Sequence, residues 1–384
     1  MKFFGLLFAN FRRKKLRTAL TFLSILVAFM LFGFLCAVKQ ALVGGVQMAG
    51  ADRLVVREKI SIINLLPVSY KARMERVPGV ALAVHQTWFG GVYQDPKKFF
   101  MQCPVEPEDY LAMFPEFLLP PEQKEAWLKS RTACIVGRRT ANRFGWKIGD
   151  RIPIQSAIWG KKDGSHAWEF DVAGIFDGKN KNTDTTAIFF HYDYFDETRQ
   201  WGTGQVGWYT IRVREPARAA EIARLVDQEF ENSSNETKTE PEGAFLQGWA
   251  SQIGNVSLIV GSILAAVFFT ILLVTGNTIA QSVRERTGEL GVLKAIGFTN
   301  GHLMALVLSE SCSLALAGGL AGLGLVWMIT AKGDPTGGLL PMFFLPKNDI
   351  LTGVLISLGL GLAAGAVPAL GVMRLRVADA LRKM

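Results

Sequence analysis

The stretch Ser282–Thr299, SVRERTGELGVLKAIGFT, decides how the rest of the chain reads. It lies between two long apolar runs, yet it carries Arg284, Glu285, Arg286, Glu289 and Lys294. A lipid-facing helix cannot hold that many charges in a bilayer core, so the stretch lies outside the membrane as a short loop or helix. Read as a helix, it puts Leu290, Leu293 and Ile296 near one stripe and Glu285 and Glu289 four apart on another. Carboxylates at that spacing repel by roughly a few tenths of a kcal/mol, and Arg286, three before Glu289, offsets only part of that. Two readings stand at this point. One is a solvated connector; the other is a small amphipathic helix with surplus carboxylates that docks on something.

Outward from it, four apolar runs reach the roughly 20 residues needed to cross a bilayer: Leu20–Val38, Ile253–Ala280, Leu303–Thr330 and Ile350–Leu370. At 49% hydrophobic and mean hydropathy +0.23, the 384-residue chain is too apolar for an ordinary soluble protein and too polar for a wholly embedded one. The net charge is +9, but residues 44–250 hold 26 Lys+Arg against 27 Asp+Glu. The positive excess therefore belongs to the membrane part, which removes the support for nucleic-acid binding.

Residues 1–17 place Phe3, Phe4, Leu7, Phe8 and Phe11 before the basic cluster Arg12, Arg13, Lys14, Lys15 and Arg17. Such a segment lies along an anionic leaflet and then turns into the membrane. The apolar run that follows is too long for a secretory signal and lacks an A-x-A site. Basic residues recur between the second and third spans and after the fourth, at Arg374, Arg376, Arg382 and Lys383. The positive-inside rule then makes both termini and the 282–301 segment cytoplasmic. The expected order is an amphipathic helix (1–17), span one (18–43), an extracytoplasmic domain (44–250), span two (251–281), the cytoplasmic segment (282–301), span three (302–330), an outer loop (331–349), span four (350–371) and a cytoplasmic tail (372–384). The fold class is a membrane protein of four transmembrane α-helices, with a large α+β domain, read as two subdomains, between helices 1 and 2.

Within 44–250, strands are expected at Arg53–Arg57, Ala81–Tyr93, Lys98–Val105, Thr132–Val136, Arg151–Ile154, Trp168–Phe176 and Trp208–Arg214, the last by its alternation. Helices are expected at Val68–Val77, Pro107–Phe114, Pro121–Ser130, Arg138–Phe144 and Pro216–Phe230, and a loop at Asn232–Gly243. No catalytic or metal-binding motif emerges. His85, His166 and His191 are scattered, and H-E-x-x-H, G-x-S-x-G and G-x-x-x-x-G-K-[ST] are absent from the sequence. Cys103 and Cys134 leave open either a disulfide or two buried thiols. Aromatic residues such as Trp88, Trp127, Trp159 and Trp168 line a cleft or, more often in proteins, fill a core. In the spans, Gly318-x-x-x-Gly322 and Gly361-x-x-x-Gly365 allow close helix approach. Glu310 is the acidic residue inside a span and is expected to face a polar partner, with Asn277 and Thr278 as candidates. The apolar run Leu339–Leu345 is expected at the outer interface.

Three stretches carry a family resemblance. Asn10–Thr21 (NFRRKKLRTALT) is similar to the entry into a first span. Glu285, Arg286, Thr287, Glu289, Leu290, Gly291, Ala295, Ile296 and Gly297 match the pattern E-R-T-x-E-(I/L)-G-x-x-x-A-(I/V)-G. Pro368-Ala369 followed by Leu375–Arg382 is similar to a closing P-A…A-L-R segment. Together they resemble permease subunits of the MacB/FtsX (type VII) ABC transporters, here without an ATPase on the same chain. The resemblance implies a non-catalytic bacterial inner-membrane subunit that pairs with a second copy or a related permease. A separate ATP-binding subunit carries the ATP and magnesium, and the chain itself carries no cofactor. It assigns ATPase coupling to Arg284, Glu285, Arg286, Glu289, Leu290, Lys294 and Gly297. It implies mechanotransmission, in which ATP-driven closure moves the outer domains, with export of an amphipathic peptide, antibiotic or lipid-linked molecule. Contacts with membrane lipid and a periplasmic adaptor belong to the same expectation. A non-transporting scaffold that activates an outer partner, or a lipoprotein-release permease, shares the topology.

Overall fold

The computed structural model describes residues 15–48, 50–96, 98–180, 183–252, 256–332 and 343–373. The basic amphipathic start and the Leu375–Arg382 segment lie outside these residues. The chain divides into two units, 1–40 with 255–334 and 343–384, and 41–254 with 335–342.

The first described element is α1 (Lys15–Met48), an apolar helix of 34 residues. The domain that follows contains β1 (Arg53–Glu58), β2 (Leu66–Pro67), α2 (Tyr70–Met74), β3 (Val80–Gln86), β4 (Gly91–Val92) and β5 (Gln102–Val105). Next come α3 (Pro107–Met113), β6 (Phe117–Leu118), α4 (Pro121–Lys129), β7 (Ala133–Gly137), α5 (Arg138–Phe144), β8 (Arg151–Ser156) and β9 (Ala167–Gly178). The domain closes with β10 (Ile188–His191), α6 (Tyr192–Thr198), β11 (Gln205–Val206), β12 (Trp208–Val213), α7 (Ala219–Glu229), β13 (Thr237–Pro241) and α8 (Glu242–Gln252). Then come α9 (Val256–Glu285), α10 (Thr287–Ala295), α11 (Asn300–Lys332) and α12 (Lys347–Met373).

The sheet runs β13-β1-β12-β3-β5-β10-β7-β9-β8-β4. Its first four strands are antiparallel throughout. With α2 and α7 they form two βαβ units in the order of a ferredoxin-like fold. The remaining strands belong to residues 87–207, inserted between β3 and β12, and the two halves meet at a single register pair, Gln86↔Val105. Helix α7 buries Ile222, Ala223 and Val226, the three-four spacing of one helical face. At its end, Phe230 stacks on Tyr70 with ring centroids 4.2 Å apart.

Several expectations need correction here. Ala81–Tyr93 is not one strand: β3 stops at Gln86, and Gly90, at φ +62°, turns the chain before β4. The Asn232–Gly243 loop contains edge strand β13, paired with β1, and the start of α8. The strand is polar without being wholly exposed: Lys238 faces water, while the buried Thr237 and Thr239 hydroxyls donate to Asp227 of α7 at 2.9 and 2.7 Å. Strand β12 does not alternate in burial; five of its six residues are buried because it lies between β1 and β3. Strand β10 (IFFH), buried throughout, went unread because a fully covered strand has no period-two signal. Cys103 and Cys134 are free thiols. They face opposite sides of the sheet, in separate apolar clusters, with β10 between their strands, which is beyond the reach of a disulfide.

In the other unit, four helices among the described residues are long and apolar enough to cross a membrane: Lys15–Ala41, Leu258–Glu285, Asn300–Ala331 and Lys347–Met373. The glycines sit where the backbones approach. A Cβ on Gly318 would lie 2.8 Å from Ile25 Cγ2, and one on Gly322 2.4 Å from the Leu26 carbonyl oxygen, both in α1. A Cβ on Gly361 would meet Cys312 Cα at 2.6 Å, and one on Gly365 would meet Ser311 Cβ at 2.9 Å, both in α11. The Ser311 hydroxyl donates to the Gly361 carbonyl at 2.7 Å in the same contact. Of the Leu339–Leu345 run, residues 339–342 lie outside the described residues, and Phe343 and Leu345 are buried within this unit.

Candidate coupling site

The Ser282–Thr299 stretch is not one helix. Helix α9 continues through Glu285, and Arg286 then leaves the helical region at φ −106°, ψ 16°. The local sequence supplies the stop: the Thr287 hydroxyl can donate to the Arg284 carbonyl at 2.8 Å or to that of Val283 at 3.3 Å, satisfying orphan acceptors of the last turn. Helix α10 ends on Gly297, which at φ +106° adopts a conformation that L-residues disfavour. There the Phe298 N–H donates to the Leu293 carbonyl at 3.1 Å and the Gly297 N–H to the Lys294 carbonyl at 3.2 Å. These two bonds make a Schellman motif. Gly297 is thus explained by helix termination.

The break changes what the segment presents. Leu290 is buried and Leu293 packs beside it, against Ile279, Leu303, Leu306, Val307 and Val372. Ile296, expected on the same stripe, caps the helix and is 72% exposed. It shares the outward face with Val292 and with Glu289, whose side chain is 43% exposed.

The expected unbalanced Glu285/Glu289 pair is also revised, because the two carboxylates lie on different helices with different partners. Arg17 of α1 pairs with Glu285 at 3.0 Å. Arg286 pairs with Glu310 of α11 at 2.9 Å and with Glu289 at 3.4 Å. Glu310 is therefore held by Arg286, not by Asn277 or Thr278. Asn277 is exposed, and the Thr278 hydroxyl donates to the Val274 carbonyl at 2.8 Å. Lys294 Nζ donates to the Met373 carbonyl at 3.3 Å, a cation at the last described turn of α12. Arg284 is exposed beside the corner. Sequence reasoning counted Arg17 only as the last residue of the basic cluster; its signal was a cation one turn before Thr21, near the start of the first apolar run.

In sum, α10 is a short helix hinged at Arg286, seated on the ends of α9, α11 and α12. Ion pairs tie the corner to α1 and α11, and α10 carries an acidic and apolar outer face.

A family model described as "MacB-like periplasmic core domain" matches residues 18–229, and one described as "FtsX-like permease C-terminal" matches 261–377. An uncharacterized ABC transporter permease of Methanocaldococcus jannaschii is 25% identical over 98% of this chain and 96% of its own. The macrolide export ATP-binding/permease protein MacB of Vibrio parahaemolyticus is 28% identical over 53% of this chain, a match that spans only 31% of that protein. The crystal structure of the periplasmic region of MacB from Actinobacillus actinomycetemcomitans aligns with 54% of this chain and 97% of its own at TM-score 0.37 and 10% identity. With both family models matched in chain order around four apolar helices, the chain is a multi-pass membrane protein with an extracytoplasmic domain, and it belongs to the MacB/FtsX family of ABC transporter permeases.

Proposed function

We propose that a separate ATP-binding subunit docks on α10 and that its ATP-driven closure moves this chain, exporting an amphipathic substrate by displacement of the extracytoplasmic domain. The observation that carries this reading is the pair of ion pairs at the α9–α10 corner. Arg17–Glu285 links α1 to α9, the long helices that precede and follow the domain in the chain. Arg286–Glu310 fixes the corner to α11. ATP and magnesium belong to the partner. A second permease copy or a related permease completes the assembly, with membrane lipid around it and a periplasmic adaptor on the outer side. By the positive-inside rule, the cations Arg284, Arg286 and Lys294 support a cytoplasmic position for this corner and for both termini.

The test is a charge swap in the chain reconstituted in lipid with its ATPase. Arg17→Glu is expected to lower amphiphile-stimulated ATP hydrolysis about tenfold while the subunits still co-purify, and Arg17→Glu with Glu285→Arg is expected to restore most of it. Stimulation that is unchanged in the single variant contradicts the tie between α1 and α9.

A further inference from the structure

The inserted half of the extracytoplasmic domain, residues 87–207, meets the ferredoxin-like half at the single register pair Gln86↔Val105. One pair of residues exchanges too few backbone bonds to fix the angle between two half-sheets, so side chains have to do it. Helix α3, the first helix of the insert, lies across the join. Its Tyr110 and Met113 are buried with Val55 and Val84 of the ferredoxin-like half and with Ile135 and Phe189 of the insert, and the Tyr110 hydroxyl donates to the Gln86 side chain at 3.1 Å. Cations of the ferredoxin-like half hold both ends of the helix. Lys71 of α2 pairs with Asp109 at 2.9 Å and with Glu106. At the other end Arg53 of β1 and its register partner Arg212 of β12 both donate to the Met113 carbonyl, and Arg212 also to that of Ala112 at 2.9 Å. The last carbonyls of a helix lack partners within it, and here the other half supplies them.

Arg53 reaches further than the other two. It opens β1, the strand that follows α1 in the chain, and is 7% exposed. Its Nε donates at 2.7 Å to Glu242, which opens α8, the helix that precedes α9 in the chain. Glu242 also accepts from the Gly50 N–H at 2.9 Å. The rest of the guanidinium holds Glu116, just beyond α3, at 2.8 Å, with the Phe114 ring centroid 4.8 Å away. One planar fork therefore joins the way into the domain, the way out of it and the insert. A lysine ammonium is a point charge without that fork.

We infer that Arg53 is a positioning residue that yokes the inserted half to β1 and α8, so that the domain answers a movement of either connection as one body. The inference rests on the reading of the chain as one whose extracytoplasmic domain is displaced, and it names the residue through which the displacement reaches the insert.

The experiment uses the full chain in lipid nanodiscs, first without the ATPase. Nitroxides at Ala126→Cys of α4 and Gln228→Cys of α7, both exposed positions, report the distance between the halves by pulsed electron spin resonance, with Cys36 and Cys312 replaced by alanine. This parent is expected to give one narrow distance. Arg53→Lys is expected to broaden it by several ångström. Glu116→Ala, which cuts the arm to the insert, is expected to do the same, whereas Glu242→Ala, which cuts the arm to α8, is expected to leave it narrow. A general loss of stability would give the reverse order, because Glu242 is the more buried carboxylate, at 13% side-chain exposure against 22%. A distance that stays narrow in both Arg53→Lys and Glu116→Ala overturns the inference, and so does equal broadening in the two carboxylate variants. Should Arg53→Lys lose its thermal transition, the carboxylate variants decide. With the ATPase added, Glu116→Ala and Glu242→Ala are each expected to lower amphiphile-stimulated hydrolysis about fivefold, and stimulation unchanged in both overturns the part of the yoke in coupling. A parent chain that shows no stimulation at all contradicts the export reading and leaves the distances to decide the yoke.

Discussion

At the scale of single residues, Arg286 stands at the corner between α9 and α10 with Glu310 at 2.9 Å, and the two side chains are 16% and 12% exposed. Desolvation makes such a pair worth little compared with an apolar pair of the same shape, but stranding one partner is expensive. Glu310→Leu is expected to destabilise the chain by about 2–4 kcal/mol. Arg286→Met combined with Glu310→Leu is expected to cost clearly less than the sum of the two single changes. Thermal unfolding in nanodiscs reads the cycle, and strict additivity denies the coupling. Gly297 makes a separate prediction. No heavy atom within 4 Å would obstruct a Cβ there, so the cost of Gly297→Val is conformational, arising from φ +106°. About 1–3 kcal/mol is expected, read in the same assay. A neutral result would mean that α10 ends without the left-handed turn.

At the scale of elements, the glycine contacts hold α11 between α1 and α12. Gly322→Leu must displace the α1 backbone at Leu26, and Gly361→Leu must displace the α11 backbone at Cys312. Each is expected to lower the thermal midpoint by several degrees or to abolish assembly, whereas Gly359→Leu, which meets nothing within 4 Å, is expected to be tolerated. Equal tolerance of all three would separate these glycines from packing. The four apolar helices and the break in polarity at 282–299 were legible because length and charge alone decide them. The helix Arg138–Phe144 was legible to the residue. The corner at Arg286 was not, because the arginine continues a helical pattern and the stop comes from the hydroxyl of the next residue. The partner of Glu310 was not legible either, since Arg286 reaches it from 24 positions earlier in the chain through a turn no periodicity reveals.

At the scale of the whole molecule, the two units answer to different physics. The extracytoplasmic domain buries a neutral histidine. Desolvation, with the nearby Lys71 and Arg199 charges adding to it, lowers the pKa of His85 from 6.5 to about 4. Between those values the unfolded chain binds the proton and the folded domain does not, so the contribution is complete above pH 6.5 and is lost as pH falls toward 4. A loss of about 2–3 kcal/mol is expected across that window, with His85→Phe flattening it. A domain stability in the wild-type chain that is level over this range contradicts the assignment. The membrane unit has its exposed aliphatic faces on all four long helices, as a lipid-bathed bundle requires.

In the proposed assembly, α10 receives force from a separate ATPase. Its outer face, Glu289, Val292 and Ile296, is where that claim is exposed to test. The most direct measurement is co-purification of the ATP-binding subunit with the chain carrying Glu289→Lys and Ile296→Asp, beside wild type, with the chain's own thermal midpoint as the control for folding. The account predicts that the midpoint is retained and the ATPase is lost; an ATPase that still co-purifies in full and is still stimulated contradicts it.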